Sequence, residues 1–350
     1  MEPEAQVPAG GAQIMAARSD RKVRLCIVGH FGPSVAEGDV GTRNVNASLA
    51  QELTRRHEVM CLDIRSVRSW PRLRGYRPDI IFFILGPATL MSFPVMAAVR
   101  SLWRRARTVL LATLPIFRPS RLVTFLKPDL VLAQSYESQR MFEGLNCRAG
   151  FLPNGVDLDR FKPIEPAKRA DIRRSLGLEA TGFLILHVGP ILRDRNVESL
   201  ARLKGEHDQV VVVGRTPADE SIQRHLEAQG CTVWLHHLKN IEQLYAVSDC
   251  YVFPALPLAR PASIDFPLSV LEAMACNLPV VSTKFRSLPS VFESGNGLEF
   301  ATDEKGFREI LDSFKAGGQR VNTRDKVMPF SWSSVCDKLD KFYEQLLAPK

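Results

Sequence analysis

Two carboxylates frame one short stretch of the chain, SIDFPLSVLEAMACNLPVVST at 263–283: Asp265, just before a helical run, and Glu272, inside it. A helix starting near Pro267 turns its free N–H groups toward whatever lies before it, and those groups favour an anion such as a diphosphate. Glu272 falls about a turn and a half further in. There it could accept hydrogen bonds from two vicinal ribose hydroxyls, as carboxylates do in dinucleotide sites. Its neighbours Leu271, Ala273, Met274 and Ala275 are all apolar, which argues against an ordinary solvated glutamate.

Other reactive side chains are scattered. The seven cysteines include no CxxC pair, and most sit in apolar runs, as expected of buried thiols in a reducing compartment. The seven histidines make neither HxxxH nor HExxH, so no metal site is expected. His30 closes a strand-like run and is a candidate contact for a second substrate. Charge is lopsided. Residues 1–150 hold 21 Lys/Arg against 12 Asp/Glu, an excess of nine, whereas the whole chain carries +8. A basic half attracts phosphorylated ligands, anionic membranes or nucleic acid. RSVRSWPRLRGYR (65–77) and RSLWRRAR (100–107) mix arginine with aromatics, which suits an anionic membrane face.

The elements that must hold these residues alternate. VRLCIVGHF (23–31), HEVMCLDI (57–64), PDIIFFIL, RTVLLATL and PDLVLAQS read as buried strands, and TRNVNASLAQELTRR (42–56) reads as a helix. FLPNGVDLDRF (151–161) breaks the rhythm. The pattern restarts with GFLILHVGP (182–190), DQVVVVGR (208–215), CTVWLHHL (231–238), CYVFPA (250–255) and PVVST (279–283). This predicts an α/β chain of two doubly wound, Rossmann-like domains with a ligand cleft between them, at the carboxyl ends of the strands. The boundaries expected are a disordered leader at 1–20, a first Rossmann-like domain at 21–155 and a second at 156–330. The helix at 331–350 should pack back on the first domain. The uncharged run 80–99 has the length of a membrane span, but Gly86-Pro87 and Pro94 favour a buried strand, a turn and a helix instead.

PNGVDLDRFKP, HVGPILRDRNV, IEQLYAVSDCYVFPA and FPLSVLEAMACNLPVVST, in that order, resemble the GT-B glycosyltransferases of retaining family 4, or group 1, over roughly residues 22–347. The resemblance implies metal-independent transfer of a sugar from a nucleotide-sugar donor, with retention and no cofactor. Glu272 matches the second acid of the family's E-x7-E motif, the ribose ligand. The first acid's place is taken by Ile264, with Asp265 beside it as a replacement or the backbone of Phe266, Pro267, Leu268 and Ser269, its N–H groups at all but the proline, gripping the sugar instead. After Gly189 the family's arginine is replaced by Pro190. Its lysine is replaced by Arg195, and Arg193 is the expected substitute for the arginine. Gly41 matches the glycine that lets backbone approach the diphosphate. Expected catalytic residues are therefore Arg195, Asp265 and Glu272. Expected acceptors are glycans or lipid-linked sugars of envelope synthesis. The expected location is cytoplasmic, with peripheral contact to the inner membrane face and no nucleic-acid partner. The rival reading is an inactive GT-B-like scaffold that binds sugar nucleotides.

Overall fold

The computed structural model describes residues 22–31, 40–64, 75–86, 88–114, 121–216, 218–236, 238–256 and 265–349. The first sheet contains β1 (Arg24–Gly29), β2 (Glu58–Asp63), β3 (Ile80–Ile84), β4 (Arg107–Ala112), β5 (Leu130–Ala133) and β6 (Ala149–Phe151). Its order is β2-β1-β3-β4-β5-β6, all parallel. Continuous apolar runs make such strands because both faces are covered. Leu25 and Ile27 enter one core cluster, and Cys26 and Val28 the one on the opposite face. The Pro-Asp pairs before β3 and β5 have a structural purpose. Asp79 accepts from the Arg24 amide at 2.9 Å, and Asp129 accepts from the Thr108 amide and hydroxyl, both at 2.8 Å. Each carboxylate thereby satisfies backbone or hydroxyl donors at the start of a neighbouring strand.

α1 (Val40–Thr54), α2 (Ser92–Leu102), α3 (Arg121–Phe125) and α4 (Tyr136–Gly144) belong to this domain. The apolar run 80–99 divides into β3 and the start of α2. No described helix is long and apolar enough to cross a membrane. The expected leader, most of the 65–77 stretch and Ile264 lie outside the described residues.

The second sheet contains β7 (Phe183–Val188), β8 (Asp208–Val213), β9 (Thr232–Trp234), β10 (Cys250–Phe253), β11 (Val280–Thr283) and β12 (Leu298–Ala301). Its order is β12-β11-β10-β7-β8-β9, again parallel. β6 and β12 are edge strands that the apolar pattern does not single out, being only three and four residues long. α5 (Pro166–Ser175), α6 (Ser199–Leu203), α7 (Glu220–Ala228), α8 (Ile241–Val247), α9 (Leu268–Ala275), α10 (Leu288–Val291), α11 (Glu304–Ala316) and α12 (Thr323–Val327) surround it.

The last helix, α13 (Trp332–Leu347), buries Val335, Cys336, Leu339, Tyr343 and Leu346 in the first domain's core beside Leu25, Ile27, Leu49 and Leu53. Arg56 at the end of α1 fastens it by ion pairs to Asp337 at 2.6 Å and Asp340 at 3.2 Å. The chain can cross here because Gly155 has no side chain. A Cβ at Gly155 would lie 2.4 Å from the Trp332 ring.

Candidate functional site: a cation-lined cleft

The turns after β7, β10 and β11 all leave the carboxyl edge of the second sheet, at the middle of its strand order. Asn196 Nδ2 donates to the Pro254 carbonyl at 3.4 Å, and Thr283 Oγ1 to the Ala255 carbonyl at 2.5 Å, so the three turns are tied together. The turn after β7 is a 3₁₀ turn, Arg193–Arg195, ended by Asn196 in the left-handed region. It buries the Arg195 side chain, leaving 8% of the residue exposed. Among the described residues its Nε has no hydrogen-bond partner. Burial pulls the guanidinium's pKa down, and the positive charge of Arg286 adds to that. A buried cation in this state is costly unless an anion joins it.

His187, on β7 itself, is fully buried with Nδ1 2.9 Å from the Val252 carbonyl. Burial lowers its pKa to about 4, so it is neutral. Its Nε2 also has no partner among the described residues. A Cβ on Gly189 would come within 3.1 Å of that nitrogen, so the backbone passes close to the ring.

α9 begins at Leu268 with Pro267 as its N-cap, which leaves the first-turn N–H groups without a side-chain cap. Glu272 is partly buried, and its Oε2 accepts from the Tyr245 hydroxyl at 2.9 Å. Burial raises the carboxyl's pKa to about 6 against the pull of that hydrogen bond. Ser269 Oγ is 2.7 Å from the Tyr251 hydroxyl. Leu268 packs against the first domain's core, so the start of α9 spans the cleft.

Two sequence expectations need correction, those for Arg193 and Asp265. Arg193 does not enter the site: its side chain is 80% exposed and its Nε pairs with Asp219 at 3.4 Å, because the 3₁₀ turn buries Arg195 and points Arg193 outward. Phe266, expected to offer only its backbone, keeps its side chain in the core, stacked on Phe292 with ring centroids 5.9 Å apart. Asp265 is only 2% exposed. Its Oδ2 accepts from Ser135 Oγ at 2.8 Å and Ser138 Oγ at 2.6 Å, both in the first domain, and its Oδ1 is 3.3 Å from Arg286 Nη1. Its amide donates to the Thr113 carbonyl at 3.0 Å. The carboxylate thus ties the two domains together. Gly41 lies in the first turn of α1, which starts at Val40, rather than in a loop ahead of it. His30 follows β1 at the carboxyl edge of the first sheet and is partly buried.

Sequence reasoning passed over Ser135, Ser138, Tyr245 and Arg286. Tyr245 sits within the quoted IEQLYAVSDCYVFPA, and Arg286 lies three residues beyond PVVST, but nothing in their local pattern distinguishes them from core or surface residues. Asn154 of the PNG triplet is also part of the seam: its Nδ2 donates to the Phe266 carbonyl at 2.6 Å and its Oδ1 accepts from Gln134 at 2.5 Å. A separate cavity of about 440 Å³ lies behind the β11 and β12 turns, lined by Leu203, Leu256 and Phe307 among others. It borders the same turns through Asn196 and Thr283 but is lined by neither Arg195 nor Glu272.

Two parallel sheets whose carboxyl edges meet across a cleft define the GT-B class, and the comparisons agree. A glycosyltransferase from Rickettsia africae superposes over 94% of this chain and 100% of its own, with TM-score 0.75 at 14% identity. Anabaena HepE, solved in complex with UDP and glucose, does so over 92% and 100%, with TM-score 0.70 at 15% identity. The sequence adds to this: residues 183–314 match the model for glycosyl transferases group 1. Its curated relatives include a D-inositol 3-phosphate glycosyltransferase from Corynebacterium jeikeium, 26% identical over 62% of this chain and 57% of that protein. Another is an alpha-galactosylglucosyldiacylglycerol synthase from Streptococcus pneumoniae, 22% identical over 46% of this chain and 44% of that protein. The chain spans about half the length of these relatives.

Proposed function

We propose that this protein is a metal-independent, retaining glycosyltransferase that moves a sugar from a nucleotide-sugar donor to a glycan or lipid-linked acceptor. The observation that carries the reading is the buried Arg195 guanidinium, with Nε unpartnered among the described residues, in the turn after β7, whose neighbour β10 meets the uncapped first turn of α9 through Tyr251 and Ser269. Negative charge grows on the donor's β-phosphate as its bond to the sugar breaks. Fixed donors already aimed at that charge stabilise the transition state without reorganising. Glu272 would hold the ribose hydroxyls from the opposite end of the same turn. No protein nucleophile is invoked; an oxygen of the leaving phosphate takes the acceptor's proton. The basic excess of residues 1–150 favours a peripheral contact with anionic lipid at the inner membrane face.

A thermal-shift screen with UDP-, GDP-, ADP- and dTDP-sugars tests donor binding, since a ligand of the native state raises its melting temperature. UDP-sugars come first because HepE was solved with UDP. With the donor found, Arg195→Ala should cost turnover about 100-fold or more, and donor affinity less. Transfer should persist in chelator. Turnover that survives Arg195→Ala would remove the assigned chemistry. The engagement of Asp265 by Ser135 and Ser138 favours one other reading, a scaffold that binds the nucleotide sugar without transfer. Donor binding with no transfer to any acceptor and no donor hydrolysis would select it.

A further inference from the structure

The reading above leaves the leaving group one cation short. Pro190 stands where a second guanidinium is expected, and Arg193 points away. A diphosphate that gains charge during reaction calls for more than one buried positive group. Arg286 answers this. It lies three residues beyond β11, in the turn next to the β10 and β7 turns that carry Arg195. Its φ of 42° is in the left-handed region, which a bulky residue rarely adopts. Such conformations cost energy and gather at functional positions.

Its guanidinium is held rather than free. The side chain is 21% exposed and Nη1 pairs with Asp265 at 3.3 Å. Asp265 is itself fixed by the Ser135 and Ser138 hydroxyls of the first domain, so Arg286 is anchored to the seam at the cleft. A guanidinium has five N–H donors in a planar fork, so the Asp265 contact and a phosphate can be held together. Arg286 is also near enough to Arg195 for its charge to bear on that residue.

We infer that Arg286, oriented by Asp265, is the second cation of the diphosphate site and supplies the charge that Pro190 and Arg193 do not. The inference rests on the nucleotide-sugar reading and names a residue of that same site. It also gives Asp265 a role that requires no contact with the sugar. Paired with Arg286 and held by the first domain's Ser135 and Ser138, it joins the inter-domain seam to the anion site.

The test is calorimetric titration of wild type, Arg286→Ala and Arg286→Lys with UDP, GDP, ADP, the matching nucleosides and inorganic pyrophosphate. Arg286→Ala should weaken the preferred diphosphate and pyrophosphate by about 10- to 100-fold, as loss of a charge-assisted pair does, and leave the nucleoside unchanged. Arg286→Lys should recover part of that loss. If Arg286 only neutralises Asp265, diphosphate and nucleoside will weaken together, or neither will, and the inference fails. Should Arg286→Ala not fold, the double variant Asp265→Asn/Arg286→Gln keeps a neutral bridge and must show the same selective loss. Pyrophosphate binding that depends on Arg286, with no nucleotide bound, would uphold the cation pair and overturn the nucleotide-sugar reading. Wild type that binds neither would overturn both.

Discussion

At the scale of the residue, the ribose role proposed for Glu272 would oppose stability. Its folded pKa of about 6 lies above the usual 4.5. Between those values the folded chain binds more protons than the unfolded one, so stability falls as pH rises through that window. At neutral pH the empty site keeps a buried carboxylate charged at a cost on the order of 1–2 kcal/mol. Glu272→Gln should therefore raise the melting temperature of the ligand-free protein at pH 7 and leave it little changed at pH 4. The same variant should weaken nucleotide binding by about 10- to 100-fold, because a charged acceptor for the ribose hydroxyls is gone. Wild-type affinity should also fall as pH drops below 6, where the proton occupies the acceptor. Differential scanning fluorimetry across pH and calorimetry with the cognate nucleotide check both. A Gln variant less stable at pH 7 would show the carboxylate to be a structural partner of Tyr245.

At the scale of the element, an unforgiving contact lies where α13 crosses the segment that joins the two domains at Gly155. Trp332 starts α13 against Gly155, and a Cβ there would meet the Trp332 ring at 2.4 Å and its Cα at 3.0 Å. A backbone atom cannot swing aside as a side-chain tip can. Gly155→Ala should destabilise by about 1–3 kcal/mol, as overpacking does. Gly144, at the end of α4, is the control: nothing lies within 4 Å of its added Cβ. Gly144→Ala should be neutral or stabilising by about 0.5–1 kcal/mol. Urea unfolding of the two variants checks the pair. Equal effects would mean that the helix gives way at Trp332.

At the scale of the whole molecule, charge is separated along the chain. Arg100, Arg104 and Arg105 are exposed at the end of α2, on the amino edge of the first sheet. Phe125, 84% exposed at the end of α3, lies on the same edge. Arg107 is partly spent on Asp129 at 3.3 Å, and Trp103 is buried, so neither adds to a lipid contact. This edge is opposite the cleft, which would leave the site open to solvent while the basic edge met the headgroups. Liposome flotation should show binding that rises with anionic lipid and falls with salt. Reversing Arg100, Arg104 and Arg105 to Glu should abolish it without changing nucleotide affinity. Indifference to lipid charge would leave these arginines as solvated residues.

The amino-acid sequence by itself determined the two parallel sheets. Short apolar runs such as Ile80–Ile84 and Val210–Val213, rich in β-branched and aromatic residues and alternating with helical patterns, fit strands covered on both faces. It also put Glu272 on a helix and Arg195 in the turn after β7, since both follow from spacing to the neighbouring runs. Tertiary structure alone decided which charged groups are spent. Arg193 and Arg195 are two residues apart, yet only the direction of one 3₁₀ turn buries one and exposes the other. Asp265 finds Ser135 and Ser138 across 130 and 127 residues, and no local pattern encodes that distance. The packing of α13 onto the first domain is expected from the sequence, but its anchoring by Arg56 to Asp337 and Asp340 is not visible there. Hydrophobic periodicity is written along the chain. The pairing of a few polar groups depends on which segments the closed fold brings within hydrogen-bond reach.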